Sequence, residues 1–489
     1  MKTRLYTPEN RKWWTLVAVS FGLFMIMLDN TVVNVALPSI RHDLGISISE
    51  LEWVVNAYAL TFGVLLLTGG KLADLFGRRL IFIAGLVVFT ASSLWCGLAT
   101  GPESLIAART VQGVGAAMMN PATLSILIAA FPPRQRGTAI GIWAGTSALA
   151  LAFGPIVGGV LTQDISWNWI FFVNVPIGIL GIVVARAFID ETRDTSREQR
   201  LDLPGLITSA VGLFALTYGL IETNTHSWTS PLVLSMLGLA AVSLVAFVVL
   251  ESRQRLPMLD LSLFRNRTFA GANAVMGLVG LAMFGIFFYN SLFLQNVLHY
   301  GAIKTGAVFL PMTVLIMFTA PAAGKLSDRV GPRWLMGAGM SLLTVALLLF
   351  ATLDQSSDFW NILPGLVVGG LGMAVTMAPT TSAAMSAVPM DKAGVGSAVI
   401  NSMRQVGGSL GVAIMGTLVA LQISVSPINP SWTGQFVSGY HDALLVGAGL
   451  LLVGAIIAVT TIRVEPHREP QQQPARPDAE PVADPMGVA

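Results

Sequence analysis

Asp29 lies inside the apolar run 13–37, where an ionisable group is expensive and points to function by default. Desolvation favours a neutral, protonated carboxyl, whereas a nearby cation favours the ionised form. A carboxyl carried between two such surroundings can take up and release a proton. The plainer alternative is a carboxylate held permanently by hydrogen bonds with Asn30, Thr31 or Asn34. Arg109, in the run 104–130, is the natural partner. Arginine keeps its own proton, so it can set the proton affinity of a carboxyl but cannot carry the proton. A snorkelling, helix-anchoring arginine is the alternative there. Glu222 ends the run 203–221 and is either a second proton site or a solvated cap.

Other chemistry is excluded. The chain has no GxxxxGK[ST] phosphate loop, no HExxH and no Ser/His/Asp arrangement worth proposing. Its one cysteine, Cys96, rules out an internal disulfide and a four-cysteine metal site. The expectation is a non-enzyme with no cofactor, no metal and no nucleic-acid partner, and its energy must come from an ion gradient. One charge crossing 100 mV supplies about 2.3 kcal/mol, and one pH unit adds about 1.4 kcal/mol per proton.

The elements that position these residues are membrane helices. Charged residues make up 11% of the 489 positions and hydrophobic ones 54%, against about 25% charged in a soluble domain. Mean hydropathy is +0.71. Fourteen stretches approach the about 20 apolar residues that a hydrocarbon core demands. They fall near 13–37, 51–70, 80–99, 104–130, 137–161, 168–188, 203–221, 231–250, 269–297, 304–323, 334–353, 360–383, 394–423 and 440–462. With both termini cytoplasmic, 24 of the 28 Lys and Arg residues fall in inner segments. Only Arg41 and Lys304 fall in outer loops, and Arg109 and Arg404 fall within spans. That bias sets the orientation.

Residues 70–79, GKLADLFGRR, recur as GKLSDRVGPR at 324–333. Eight spans separate the copies, so the repeat is parallel, with two similar bundles related by an axis along the membrane normal. Two spans are then extra, and the seventh and eighth are the natural candidates. The expected fold is an all-α membrane protein. Residues 1–12 form a cytoplasmic N-terminus and 13–188 a six-helix bundle. Residues 189–202 form a cytoplasmic loop, 203–250 two additional helices and 251–268 a second loop. Residues 269–462 form the other six-helix bundle, and 463–489 a disordered cytoplasmic tail rich in Pro and Gln. In the repeated loop, Gly70 and Gly77 permit close helix approach. Asp74 can sit at a helix N-terminus or pair with arginine, and Lys71, Arg78 and Arg79 hold the cytoplasmic face. With Gly324, Asp328, Gly331 and Arg333 of the second copy, these residues form a candidate conformational latch.

GKLADLFGRR resembles the signature loop of the major facilitator superfamily. LIAARTVQGVGAAMMNPA (105–122) resembles its fourth-helix motif, with Arg109 and Gln112 in place. GIWAGTSALALAFGPIVGGVL (141–161) resembles the fifth-helix antiporter motif, with Gly145, Gly154, Pro155, Gly158 and Gly159. LDNTVVNVALPSI (28–40) and WNWIFFVNVPIG (167–178) resemble signatures of the fourteen-span drug:proton antiporters. The resemblance implies a proton-coupled antiporter in a bacterial inner membrane, exporting amphipathic drugs or antibiotics by alternating access, with protons and lipid as its other partners. It implies that Arg109 influences proton transfer, and that the fifth-helix motif goes with export. The need for a periplasmic adaptor stays open. Candidate cavity residues are Asn34, Tyr58, Gln112, Tyr289 and Asn290. Two alternatives are a dedicated exporter of an endogenous metabolite or lipid-like molecule, and a non-transporting receptor or scaffold.

Overall fold

The computed structural model describes residues 8–193, 202–223, 226–254, 257, 259–388, 393–424, 429 and 431–463. The predicted tail beyond Arg463 lies outside them. The helices, in chain order, begin with α1 (Pro8–Leu44), α2 (Ile48–Phe76), α3 (Arg78–Gly97), α4 (Pro102–Ala130) and α5 (Pro133–Asp164). Next come α6 (Trp169–Phe172 with Asn174–Phe188), α7 (Leu203–Glu222), α8 (Pro231–Arg253), and α9 (Arg267–Leu292, prolonged by a π-turn at Phe293–Val297). The last five are α10 (Ala302–Val308 with Leu310–Val330), α11 (Pro332–Phe350), α12 (Phe359–Ser386), α13 (Ala393–Gln422) and α14 (Trp432–Thr461). No strand occurs among the described residues. Backbone polar groups in hydrocarbon must be satisfied within the segment, which selects helices.

Thirteen of these helices are long and apolar enough to cross a membrane. The predicted stretch 137–161 lies within α5, which is outside that count. Its 32 residues extend about 48 Å at 1.5 Å per residue. Helix α1 runs beyond the predicted 13–37 at both ends, because Arg41, His42 and Asp43 end its apolar character without ending its hydrogen bonding. Local polar residues fix several helix starts. Ser47 and Glu50 form a capping box on α2, and Asp358 and Asn361 form one on α12.

Helix packing repeats in the two halves. In the first, α1 packs on α5 and α6, α4 on α2 and α3, and α3 on α6. In the second, α9 packs on α13 and α14, α12 on α10 and α11, and α11 on α14. Adding eight to each number of the first set gives the second. The contacts between halves obey the same rule: α2 meets α13, α5 meets α10, and α1 meets α9. The repeated loops share a backbone feature as well. Gly77 between α2 and α3 has φ 120°, and Gly331 between α10 and α11 has φ 82°, a region that L side chains avoid. The pair α7–α8 packs on itself and touches both α2 and α13. On α8, Val242 and Val245 are more than 60% exposed, a surface for lipid rather than water.

Candidate functional site

Asp29 and Arg109 are brought together inside the first bundle, both almost fully buried. Arg109 Nη1 donates to Asp29 Oδ2 at 2.5 Å and to Gln112 Oε1 at 2.7 Å. Its Nε donates to the Val54 carbonyl of α2 at 3.0 Å. Gln112 Nε2 donates to the other carboxylate oxygen, Asp29 Oδ1, at 2.9 Å. The guanidinium lies 4.3 Å from the Tyr58 ring centroid, within cation–π range. Arg109 and Gln112 stand three residues apart, on one face of α4. Asn30, Thr31 and Asn34 do not hold the carboxylate. Their side chains donate to the α1 backbone at Ile26, Leu28 and Asn30 respectively.

Asp29 and Arg109 line a cavity of about 10 Å³ with Asn34, Val55, Tyr58 and Phe284, room for about one water. Phe284 belongs to α9, so the carboxyl faces the seam between bundles rather than lipid. Asn34 and Tyr58 are therefore neighbours of the ion pair, and Gln112 is bonded to it. Tyr289 and Asn290 make other contacts. Tyr440 of α14 donates to Asn290 Oδ1 within the second bundle. Tyr289 donates to Glu52 across the seam at 2.9 Å. Glu52 was not among the expected site residues, although it is fully buried. As the second residue of the predicted span 51–70, it reads in the sequence as part of the polar start of that run. Glu222 stands apart, 3.1 Å from His226 Nδ1.

The two bundles pack together from mid-membrane, where Ser402 Oγ of α13 donates to the Gly63 carbonyl of α2 at 2.7 Å, to the ends distal to the start of α1 and the end of α14. A Cβ on Gly159 of α5 would stand 2.7 Å from the Ala302 carbonyl, and one on Gly306 would press on the carbonyl of Pro155. Gln163 accepts from Ile303 N at 3.0 Å. Ser291 Oγ donates to the Asn34 carbonyl at 2.6 Å, and Gln295 Nε2 to the Val35 carbonyl at 2.9 Å. Within the first bundle, Gly154 sits against Thr31, and Gly158 against the Val32 carbonyl. Gly145 has open space around it.

On the termini side, Arg78 donates to Asp74 Oδ1 through Nε at 3.1 Å and Nη2 at 3.0 Å, so Asp74 pairs with arginine at the end of α2. Arg79 Nη2 donates to the Arg186 carbonyl at 2.9 Å, and Lys71 Nζ to the Pro257 carbonyl at 3.5 Å. Glu191 accepts from the first amides of α3, at Arg79 and Leu80, both at 3.1 Å, where a carboxylate complements the helix dipole. In the second loop, Gly324 lies near Ala378 and the Arg333 guanidinium lies 5.1 Å from the Trp334 ring. The side chain of Asp328 is outside those described.

A family model described as Major Facilitator Superfamily matches residues 19–412. A puromycin resistance protein of Streptomyces alboniger is 36% identical over 461 residues, covering 92% of this chain and 91% of its own. The tetracenomycin C resistance and export protein of Streptomyces glaucescens is 31% identical, covering 94% of each chain. Among solved structures, a bacterial homolog of the human lysosomal transporter Spinster, in an inward-facing and unoccupied conformation, superposes with TM-score 0.67. It is 16% identical and covers 92% of this chain and 98% of its own, a likeness of fold.

Proposed function

The chain belongs to the major facilitator superfamily, a family of transporters and not of enzymes, and we propose that it exports amphipathic drugs or antibiotics in exchange for protons by alternating access. One observation carries the proton part. Asp29, buried at the seam between bundles, shares its two oxygens between Arg109 and Gln112. Such a charge-assisted pair suits the carboxylate of a proton-free state. Protonation weakens its hold on the guanidinium, which frees both groups to rearrange as the bundles tilt. Proton and cargo then compete for one conformation.

The cargo class rests on the relatives, whose names speak of puromycin and tetracenomycin C. The Lys and Arg bias supports cytoplasmic termini, and the bacterial relatives support a bacterial cytoplasmic membrane. On that orientation, the contacts at the distal ends make this the conformer closed to the outside. The Asp74 and Lys71 loop lies at the cytoplasmic end, suited to latch the opposite state.

The test is transport of puromycin and of tetracenomycin C by proteoliposomes, with and without an imposed pH gradient. The protein should accumulate at least one of them only when the gradient is present. Asp29→Asn should abolish accumulation, while exchange of the same compound down its own gradient persists. An Asp29→Asn protein that still concentrates cargo would end the proton role of this residue.

A further inference from the structure

Glu52 takes no part in the pair at Asp29, yet it is as deeply buried. It lies one turn into α2, in the distal half of the seam, and projects into the opposite bundle. Tyr289 of α9 donates to Glu52 Oε1 at 2.9 Å, and the same hydroxyl lies 3.2 Å from the Val412 carbonyl of α13. Gly416 of α13 makes the notch that receives them. A Cβ there would stand 2.6 Å from Glu52 Cδ and 2.6 Å from the Tyr289 oxygen. Separating the distal ends therefore withdraws Glu52 from the notch into water.

The ionisable groups on the packed elements are few. Helix α9 brings Tyr289, while α13 brings the Gly416 notch and the Val412 carbonyl, its one ionisable side chain, Arg404, lying eight residues before Val412 and bonded to Asn401. Helix α7 brings Tyr218, whose ring lies 5.9 Å from that of Trp53, and then Glu222 with His226. Helix α4 brings Arg109, bonded to the Val54 carbonyl two residues along from Glu52, with Asp29 of α1 behind it. Helix α3 turns its Cys96 thiol toward Gln112. On α2 itself, Glu50 is engaged with Ser47, and at the end of α1 Arg41 lies over Trp432.

We propose that Glu52 is a second proton-binding site, at which the carboxylate takes a proton from the distal water before the seam can close over it. A neutral acid loses much less hydration than an anion on entering a buried notch, and it can still accept the Tyr289 hydroxyl. Closing thus takes up one proton at Glu52, and opening to that side returns it to water. Low pH on the distal side favours the closed seam and high pH the open one. The proposal rests on the alternating-access reading but not on Asp29 as the coupling group.

The experiment is a distance measurement between spin labels at Leu98→Cys and Gln355→Cys, two exposed distal positions, one on each bundle. A Cys96→Ser background removes the natural thiol, and the protein sits in lipid nanodiscs titrated from about pH 5 to about pH 9. The closed distance should give way to a longer one as pH rises. Glu52→Gln, neutral at every pH, should stay closed throughout and lose the response. Tyr289→Phe should be less closed at every pH but keep the response, because the titrating group remains. Asp29→Asn should also keep it. A parent distance indifferent to pH overturns the proposal, as does a Glu52→Gln protein that responds as its parent does. Either result leaves the transport reading to the Asp29→Asn assay.

Discussion

Arg109 shows how much a single side chain can be asked to do at this site. Its Nη1 and Nε together reach Asp29, Gln112 and the Val54 carbonyl, three acceptors on α1, α4 and α2. The one nitrogen of lysine cannot reproduce that fork. Arg109→Lys should therefore fold yet lose at least about tenfold in gradient-driven transport, with a changed pH profile in the same assay. Arg109→Met leaves the Asp29 carboxylate buried without its cation, a change that typically costs about 3–5 kcal/mol. The double variant Asp29→Asn/Arg109→Met removes both charges, so thermal unfolding in detergent should recover most of that loss while transport stays absent. Asp29 was legible in the sequence because it is a lone carboxylate among apolar residues. Glu52 was not, because it follows Ser47 and Glu50 closely and reads as the polar start of a helix. Its burial comes from Tyr289 and Gly416, more than 200 positions away, which no local pattern reveals.

At the scale of the helix, the α5 motif separates into three kinds of glycine. Gly158 meets the Val32 carbonyl of α1, where a Cβ would stand 2.9 Å away, within one bundle. Gly159 meets α10 of the other bundle, and Gly145 meets nothing within 4 Å. Overpacking a tight contact typically costs about 1–3 kcal/mol, and its consequence depends on which states contain the contact. Gly158→Val should lower the melting temperature, because α1 and α5 belong to one bundle, which the proposed rocking moves as a unit. Gly159→Val should leave melting nearly unchanged and shift the distal spin-label distance toward the open value. Gly145→Ala should do neither. The motif was readable as a smooth small-residue face, but which glycine serves folding and which serves closure depends on the partner helix. In the repeated loop the matched glycines were legible but were read as points of close helix approach, whereas Gly77 and Gly331 supply left-handed backbone at matched junctions. That requirement is local and survives in the sequence.

For the whole molecule, the eight-helix offset makes the two seams equivalent, α2 with α13 and α5 with α10, and the pair α7–α8 breaks that equivalence. Among the described residues it packs along the first seam, on α2 and α13. On one side, Trp53 of α2 packs against Phe214 and Tyr218, with ring centroids 5.5 and 5.9 Å away. On the other, Thr223 next to α7 donates to Thr417 of α13 at 3.0 Å, and Thr417 reaches the Leu220 carbonyl at 2.9 Å. The added helices thus cover the α2–α13 seam from lipid while holding to each bundle through a small, separate contact. Such a strap can follow either bundle in the rocking proposed above. In a Cys96→Ser background, a short linker attached through disulfides to Thr223→Cys and Thr417→Cys ties the strap to the second bundle alone. One between Trp53→Cys and Tyr218→Cys ties it to the first. Either tie by itself should leave gradient-driven transport largely intact, since the other contact can still slide. Both together join the bundles into one body through the strap, so transport should stop and return when the linkers are reduced. Continued transport with both ties in place would mean that the bundles do not move against each other at this seam, and the rocking mechanism would have to be placed elsewhere in the fold.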